Sequence, residues 1–164
     1  MNKQVIIKSA GPGKLTPYAL KMLALDMLSR GKAFMFASVL LEKHRGSEFV
    51  VLHNLCQGIE VYLKGLLQLK DYRKYDKKKL KKLGHDLIIL TEEVRNAYSI
   101  KNFTPAFIKE LNEVNFFYKN HFLRYSHPSA IFIRPSTLPI NLIVRKMLAV
   151  IKMTERSHPP GVKI

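Results

Sequence analysis

Residues 52–67 read LHNLCQGIEVYLKGLL and residues 83–90 read LGHDLIIL, with a lysine-rich connection between them. Apolar side chains in both stretches recur at steps of three and four residues, which is the period of an amphipathic helix. Each stretch also carries polar groups beside its apolar face, where burial would favour carbon. The pattern predicts two helices of a bundle, with a polar groove at their side and a cationic connection at its entrance.

The other helix boundaries are marked by caps and breakers. Threonine followed by proline, at 16–17 and again at 104–105, is typical of a helix start, because threonine caps free N–H groups and proline suits the first helical position. Glycine is typical of a helix end. These signals predict helices from 17 to Gly31, over 32–44, 47–69, 76–83 and 85–98, from 105 toward Arg124, and from Pro139 onward.

No series of strand-like alternation appears, so the predicted fold class is all-α, an up-and-down helical bundle. Residues 1–15 are predicted to be a flexible N-terminal tail and residues 157–164 a C-terminal tail. Residues 16–156 are predicted to form a single helical-bundle domain. Within it, three prolines over residues 126–139 are typical of an extended loop.

The chain of 164 residues is strongly basic. Lys and Arg total 28 against 12 Asp and Glu, which gives a formal net charge of +16 and a pI of about 10.0. Such a charge either attracts a polyanion such as nucleic acid or serves solubility alone. No apolar run is long enough to span a bilayer, and no signal peptide is recognisable, so no membrane partner is predicted.

Cysteine and histidine usage narrows the chemistry. The single cysteine, Cys56, allows no intramolecular disulfide and fits the reducing cytoplasm. The scattered histidines give no zinc-binding spacing, so no metal and no other cofactor is predicted. The sequence also lacks a P-loop, a dinucleotide-binding glycine motif and a nucleophile elbow.

One flank of the helix predicted at 47–69 is polar. His53, Gln57, Glu60 and Lys64 follow one another at steps of four, three and four residues, so they share one side of the helix. An imidazole, a carboxylate and an ammonium in line suit a ribose, a base edge or a phosphate. The second interpretation is a solvent-exposed flank with a weak i,i+4 ion pair between Glu60 and Lys64.

Four further polar residues lie at predicted helix ends. Asp86 suits the positive end of a helix dipole, and His85 beside it is either an acid or base near neutral pH or an anchor of the turn. Arg124 and Tyr125 suit a phosphate and a base respectively. Arg124 has a purely structural alternative, in which it ties the proline-rich loop to the bundle.

The segment over residues 70–82 carries eight cations against two acids. Cations interleaved with aromatic rings are typical of a surface for single-stranded nucleic acid, because phosphates are neutralised and bases stack. Leu80 within it and Leu83 just after it are too few apolar side chains for a membrane-surface helix. The predicted nucleic-acid patch consists of Tyr72, Arg73, Lys74, Tyr75, Lys77, Lys78, Lys79, Lys81 and Lys82.

Three blocks of the sequence resemble the HEPN superfamily, small helical bundles of prokaryotic defence and toxin systems. The first carries a glutamate and a lysine four residues apart, the second reads GHDL at 84–87, and the third runs from 111 to 125 and ends in Arg-Tyr. They stand in the family's order over roughly residues 47–150. The resemblance implies a HEPN-type bundle whose groove residues are Glu60, Lys64, His85, Asp86, Arg124 and Tyr125.

Many HEPN proteins are metal-independent ribonucleases with an arginine and a histidine four to six residues apart. Here two residues separate Arg124 from His127, and seven separate Arg45 from His53. The family signature also places proline directly after Arg-Tyr, whereas Ser126 and His127 stand between Tyr125 and Pro128 here. The resemblance therefore implies the fold and the groove, and it carries no catalytic residue over to this chain.

The basic charge and the polar flank predict a module that binds RNA or a nucleotide in the cytoplasm. The resemblance implies that this module is HEPN-like, lacks nuclease activity and belongs to a prokaryotic defence or toxin–antitoxin system. A homodimer or a protein partner is a further expectation. One alternative is a divergent metal-independent ribonuclease that uses His121, Arg124 and His127. Another is an interaction module that pairs with a nucleotidyltransferase-type partner and binds no nucleic acid itself.

Overall fold

The computed structural model describes residues 15–101, 103–125, 137–138 and 140–156. These residues form helices and no strand, which confirms the all-α fold class. The helices are α1 (Pro17–Lys43), α2 (Glu48–Lys70), α3 (Lys77–Leu83), α4 (Leu87–Ala97), α5 (Pro105–Lys119) and α6 (Asn141–Arg156).

The predicted helix starts are confirmed by their capping contacts. The hydroxyls of Thr16 and Thr104 each accept the backbone N–H of the residue three positions on, at 3.2 and 3.3 Å. The Asp76 carboxylate caps α3 in the same way at 2.8 Å. Gly84 ends α3 with a φ of 64°, a conformation that glycine adopts without strain.

The predicted stop at Gly31 is wrong, because α1 runs without a break from Pro17 to Lys43. Gly31 lies where α1 presses against α2. A Cβ atom at this position would lie 2.6 Å from the backbone nitrogen of Tyr62 and 2.8 Å from the carbonyl oxygen of Gly58. The glycine therefore permits close packing of two helices, a role that its local sequence does not distinguish from a helix end.

Gly31→Ala is expected to lower the free energy of unfolding by about 1–3 kcal/mol, because the backbone of α2 must move to admit the methyl group. Helix propensity alone predicts the opposite sign, by about 1 kcal/mol. Urea unfolding measures the difference. Ser29→Ala on the same helix is the control and should change stability by less than about 0.5 kcal/mol. A stabilised Gly31→Ala variant would contradict the close packing.

A continuous apolar core joins the helices, with α2 at its centre against α1, α4 and α5. The apolar stripes of the sequence face inward as their periodicity predicts. Core side chains with 6% exposure or less include Leu55, Ile59, Tyr62, Leu66, Leu87, Leu90, Leu111 and Ile143. Glu110 of α5 fixes the start of α6 by accepting the N–H of Ile143 at 2.9 Å.

The helix predicted to run toward Arg124 ends earlier, at Lys119. His121 adopts a φ of 62°, which breaks the helix, and residues 121–125 continue as a turn. The loop predicted at 126–139 and both predicted tails fall mostly outside the described residues. Among the described helices, none is both long and apolar enough to cross a membrane.

Candidate functional site

The centre of the candidate site is the carboxylate of Glu60, which α2 holds at 4% exposure. The ammonium of Lys64 donates to its Oε1 at 2.7 Å. The other oxygen, Oε2, lies 2.9 Å from Nδ1 of His85 and accepts the hydroxyl of Tyr118 at 2.5 Å. One carboxylate thereby joins α2, the α3–α4 connection and α5.

Glu60 is held in its charged form. Burial by itself would raise the pKa of this carboxyl, but hydrogen bonds from Lys64, Tyr118 and His85 outweigh burial and set the pKa below its usual value. Burial and the bond to Glu60 raise the pKa of Tyr118, so its phenol keeps the proton that it donates. The solvent-exposed interpretation of this flank is therefore wrong at Glu60.

The α3–α4 connection is fixed from both sides. Lys64 also donates to the carbonyl oxygen of Gly84 at 2.7 Å. Asp86 caps α4 and accepts Nδ2 of Asn115 at 2.9 Å and Nζ of Lys119 at 3.2 Å. Burial would raise the pKa of Asp86, but the Ile89 N–H, Asn115 and Lys119 lower it. The predicted position of Asp86 at a helix start is confirmed, with Asp86 as the N-cap residue, and His85 next to it is held in place.

Three histidines surround Tyr118 and Glu60. Because a carboxylate only accepts hydrogen bonds, Nδ1 of His85 carries the proton and its Nε2 remains available for another contact. The rings of His85 and His121 lie 5.4 Å apart, and the ring of His53 lies 5.9 Å from that of Tyr118. Three imidazoles on three different parts of the chain therefore converge on one place.

Two of these histidines have unsatisfied ring nitrogens. Nδ1 of His53 and Nδ1 of His121 are buried and have no hydrogen-bond partner among the residues that the structure describes. Burial lowers the pKa of His53, and the nearby Arg124 cation lowers it further. A buried polar atom without a partner is costly, so both nitrogens are suited to a partner that arrives with a ligand or with water.

Arg124 and Gln57 form the outer edge of the cluster. Nη2 of Arg124 donates to Oε1 of Gln57 at 2.9 Å, and the same amide oxygen lies 2.9 Å from the Tyr118 hydroxyl. The guanidinium lies over the Tyr118 ring at 5.9 Å. Tyr125, predicted as a groove residue, is 70% exposed and its ring lies 6.3 Å from that of His121. Arg124 therefore contacts α2 across the cluster.

Most side chains of the predicted nucleic-acid patch are exposed to solvent. Its lysines on α3 are exposed apart from the half-buried Lys79, while Leu80 and Leu83 turn inward. Arg73 and Lys74 lie in a turn that the Asp71 carboxylate holds through both of their N–H groups at 3.0 Å. Since α3 leads directly into the α3–α4 connection, the patch borders the histidine cluster.

One member of the patch is misassigned. Tyr75 is 1% exposed and its hydroxyl donates to Glu93 at 3.0 Å, so its ring belongs to the core. Stacking of a base on Tyr75, as the sequence predicted, would require this part of the fold to open. Tyr72 is half-buried and keeps part of its ring accessible. His127, named for the alternative nuclease, lies outside the described residues.

Sequence reasoning missed Tyr118, Asn115 and Lys119 as members of the site. Tyr118 stands at an apolar position of the helix predicted to begin at 105. A signal was present, since a tyrosine at a core position needs a partner for its hydroxyl, and Glu60 was the polar group on the facing helix. Asn115 precedes Tyr118 by three residues and Lys119 follows it directly, and no local pattern points to either of them.

The described residues contain no group of three or more His, Cys, Asp or Glu side chains arranged to hold a metal ion. What the cluster does contain is two carboxylates, each paired with a lysine, and three imidazoles and a guanidinium around them. Such a site suits an anion, because the carboxylates are already occupied and the imidazoles and the guanidinium are the groups that remain. Comparisons with protein-family models, with curated proteins and with solved structures found no match to this chain.

Proposed function

We propose that this chain is a HEPN-type bundle that binds RNA or a nucleotide through its phosphates, without cleaving it, in a cytoplasmic defence or toxin–antitoxin system of a prokaryote. The observation that supports it best is the position of His85. This imidazole is anchored by the buried Glu60 carboxylate and follows Lys82, the last lysine of α3, by three residues. A cationic surface thus leads directly to a cluster of oriented imidazoles and the Arg124 guanidinium.

The charge arrangement supports phosphate as the group that is bound. Glu60 is paired with Lys64, and Asp86 is paired with Lys119 at 3.2 Å, so neither acid repels an incoming anion at full strength. Arg124 presents a planar set of donors that matches phosphate oxygens. Protonation of an imidazole beside a bound phosphate would add further charge-assisted bonds.

The resemblance to HEPN proteins gains support from the same cluster. Glu60, Lys64, His85 and Arg124 come from the three blocks that carry the resemblance, and they lie within one network of hydrogen bonds that runs through Tyr118 and Gln57. Asp86, next to His85 in the chain, belongs to a separate pair with Lys119. These residues are far apart in the sequence. They nevertheless match the family's pattern and also lie close together in space. The class of bundle remains our inference from this coincidence.

A metal-independent ribonuclease is a second candidate, favoured by the 5.4 Å separation of His85 and His121. Two imidazoles that reach one ester serve as general base and general acid. Cys56 is buried and burial raises its pKa, so its thiol is no nucleophile. The nucleophile would have to be the 2′-hydroxyl of the RNA itself, activated at Nε2 of His85.

Binding and cleavage are separated by incubating labelled single-stranded RNA with the purified chain in the presence of a metal chelator. We expect a retarded complex and intact RNA. Cleavage that disappears in His85→Ala and in His121→Ala would replace the binding module with the ribonuclease. Absence of any RNA or nucleotide complex at low salt would leave the protein-interaction alternative.

Arg124→Ala is expected to weaken RNA binding about tenfold and to reduce the salt dependence by about 0.7 in the log–log slope, the value for one phosphate contact to a single strand. Fluorescence anisotropy over a salt series measures both quantities. Arg30→Ala is the matched control, since Arg30 is exposed on α1 and pairs with Asp26 at 2.8 Å. Equal losses in the two variants would mean that only net charge matters.

A further inference from the structure

The outer side of α1 is unusually apolar for a helix at the surface. Seven of its large hydrophobic side chains are between 39% and 72% exposed, a larger set than any other helix carries among the described residues. The exposed members on this helix are Tyr18, Met22, Leu23, Phe34, Phe36, Val39 and Leu40. A helix that is apolar on both sides is normally covered on both sides.

Four of these side chains form a symmetric stripe about Ser29. Tyr18 and Leu40 each stand eleven residues from Ser29, and Met22 and Phe36 each stand seven residues from it. At 3.6 residues per turn, all five positions lie within about 40° of one another around α1. The middle of the stripe is narrow, because Ser29 is small, while both ends are bulky.

We propose that this stripe is the contact surface for a second copy of the same chain, with the two α1 helices antiparallel and Ser29 at the two-fold axis. A two-fold contact requires a surface that complements itself. Here Met22 of one copy meets Phe36 of the other, and Tyr18 meets Leu40, each pair occurring twice. The small side chain at the axis lets the helices approach closely at their crossing.

The charge of this face favours a second copy over an acidic partner. Two chains of net charge +16 repel one another, so they can associate only through a face with little net charge. The exposed residues of α1 carry acids and bases in near balance, and Asp26 and Arg30 already form a pair at 2.8 Å. The excess of lysine lies on α3 instead, where an acidic partner would be attracted.

The stripe supplies about half of the surface that a stable interface needs, and the groove beside it extends this surface. A large aromatic side chain offers roughly 150–250 Å² when fully exposed. At about half exposure, the four side chains of the stripe offer on the order of 400 Å², against the roughly 800 Å² that each partner buries in a stable interface. A groove of about 340 Å³ between α1, α2 and α6, lined by Val39 and Leu148 among others, extends the apolar surface beside Phe36.

Sedimentation of the full chain tests this contact. The unmodified chain should sediment as a dimer, and Met22→Lys alone and Phe36→Glu alone should each raise the dissociation constant by at least about thirtyfold. Mixing the two single variants should restore a dimer with one copy of each. In that dimer the introduced lysine faces the introduced glutamate at one contact, while Phe36 still meets Met22 at the other. A chain that carries both substitutions should also dimerise.

Ile89→Glu is the matched control, since Ile89 on α4 is 49% exposed and Phe36 is 55% exposed. It should leave the dimer unchanged, and circular dichroism should be the same for all variants. A monomeric unmodified chain would overturn the proposal, whether α1 is then covered by another segment of this chain or by a different protein. A dimer that persists in both single variants, or single variants that stay monomeric when mixed, would overturn it as well.

Discussion

Removing the charge of α3 is expected to flatten the salt dependence of single-stranded RNA binding by about 3.5 units in the log–log slope, since each of the five lysines that neutralises a phosphate contributes roughly 0.7. At low salt the same change should weaken binding by orders of magnitude. The side chains lie on a short helix whose core contacts are made by Leu80 and Leu83, so glutamine should leave the fold intact. The replaced residues are Lys77, Lys78, Lys79, Lys81 and Lys82.

The matched control removes the same number of charges elsewhere on the surface. A chain with five exposed lysines of other helices changed to glutamine has the same net charge as the α3 variant. If α3 contacts the phosphates, the control should keep most of its affinity and slope. Equal flattening in both variants would assign binding to the overall charge rather than to α3. The control lysines are Lys21, Lys43, Lys109, Lys146 and Lys152.

The sequence predicts the helices well where a boundary depends on local chemistry. A capping hydroxyl and a proline act on their own turn, so Thr16 and Thr104 mark true starts. Gly31 was mistaken for a stop because a glycine has the same local properties in the interior of a helix that packs closely against another. Only the position of Tyr62 and Gly58 on α2 distinguishes the two roles, and this is tertiary information.

Some residues of the candidate site can likewise be predicted from local sequence, and others depend on tertiary contacts. Periodicity places Glu60 and Lys64 on one side of α2, and the Gly84 and Asp86 signals place His85 at a helix start, so these members are predictable. Whether Glu60 faces water or protein depends on Tyr118, which arrives from a helix almost sixty residues later in the chain. The burial of Tyr75 is hidden for the same reason, because its partner Glu93 belongs to another helix.

Glu60→Ala is expected to lower the free energy of unfolding by about 3–5 kcal/mol, the cost of breaking a buried ion pair by removing one partner. Lys64, whose side chain is 14% exposed, would keep its charge without the carboxylate, and the Tyr118 hydroxyl would lose its strongest acceptor. Glu92→Ala is the control: Glu92 pairs with Arg95 at 2.7 Å, but it is 41% exposed, so about 0–1 kcal/mol is expected. Similar losses in the two variants would mean that the buried network adds nothing.

Because the folded-state pKa of Glu60 lies below its ordinary value of 4.5, this carboxylate stabilises the fold fully above that pH. Its contribution declines as the pH falls below 4.5 toward the lowered pKa, since protonation removes the acceptor of Lys64 and His85. Denaturant unfolding at a series of pH values should therefore show a steeper acid loss of stability for the unmodified chain than for Glu60→Ala. Parallel curves would contradict an ionised Glu60.

The same ionised carboxylate orients His85 toward the proposed phosphate site. A folded Glu60→Gln chain should therefore bind RNA more weakly, even under conditions in which both chains are fully folded.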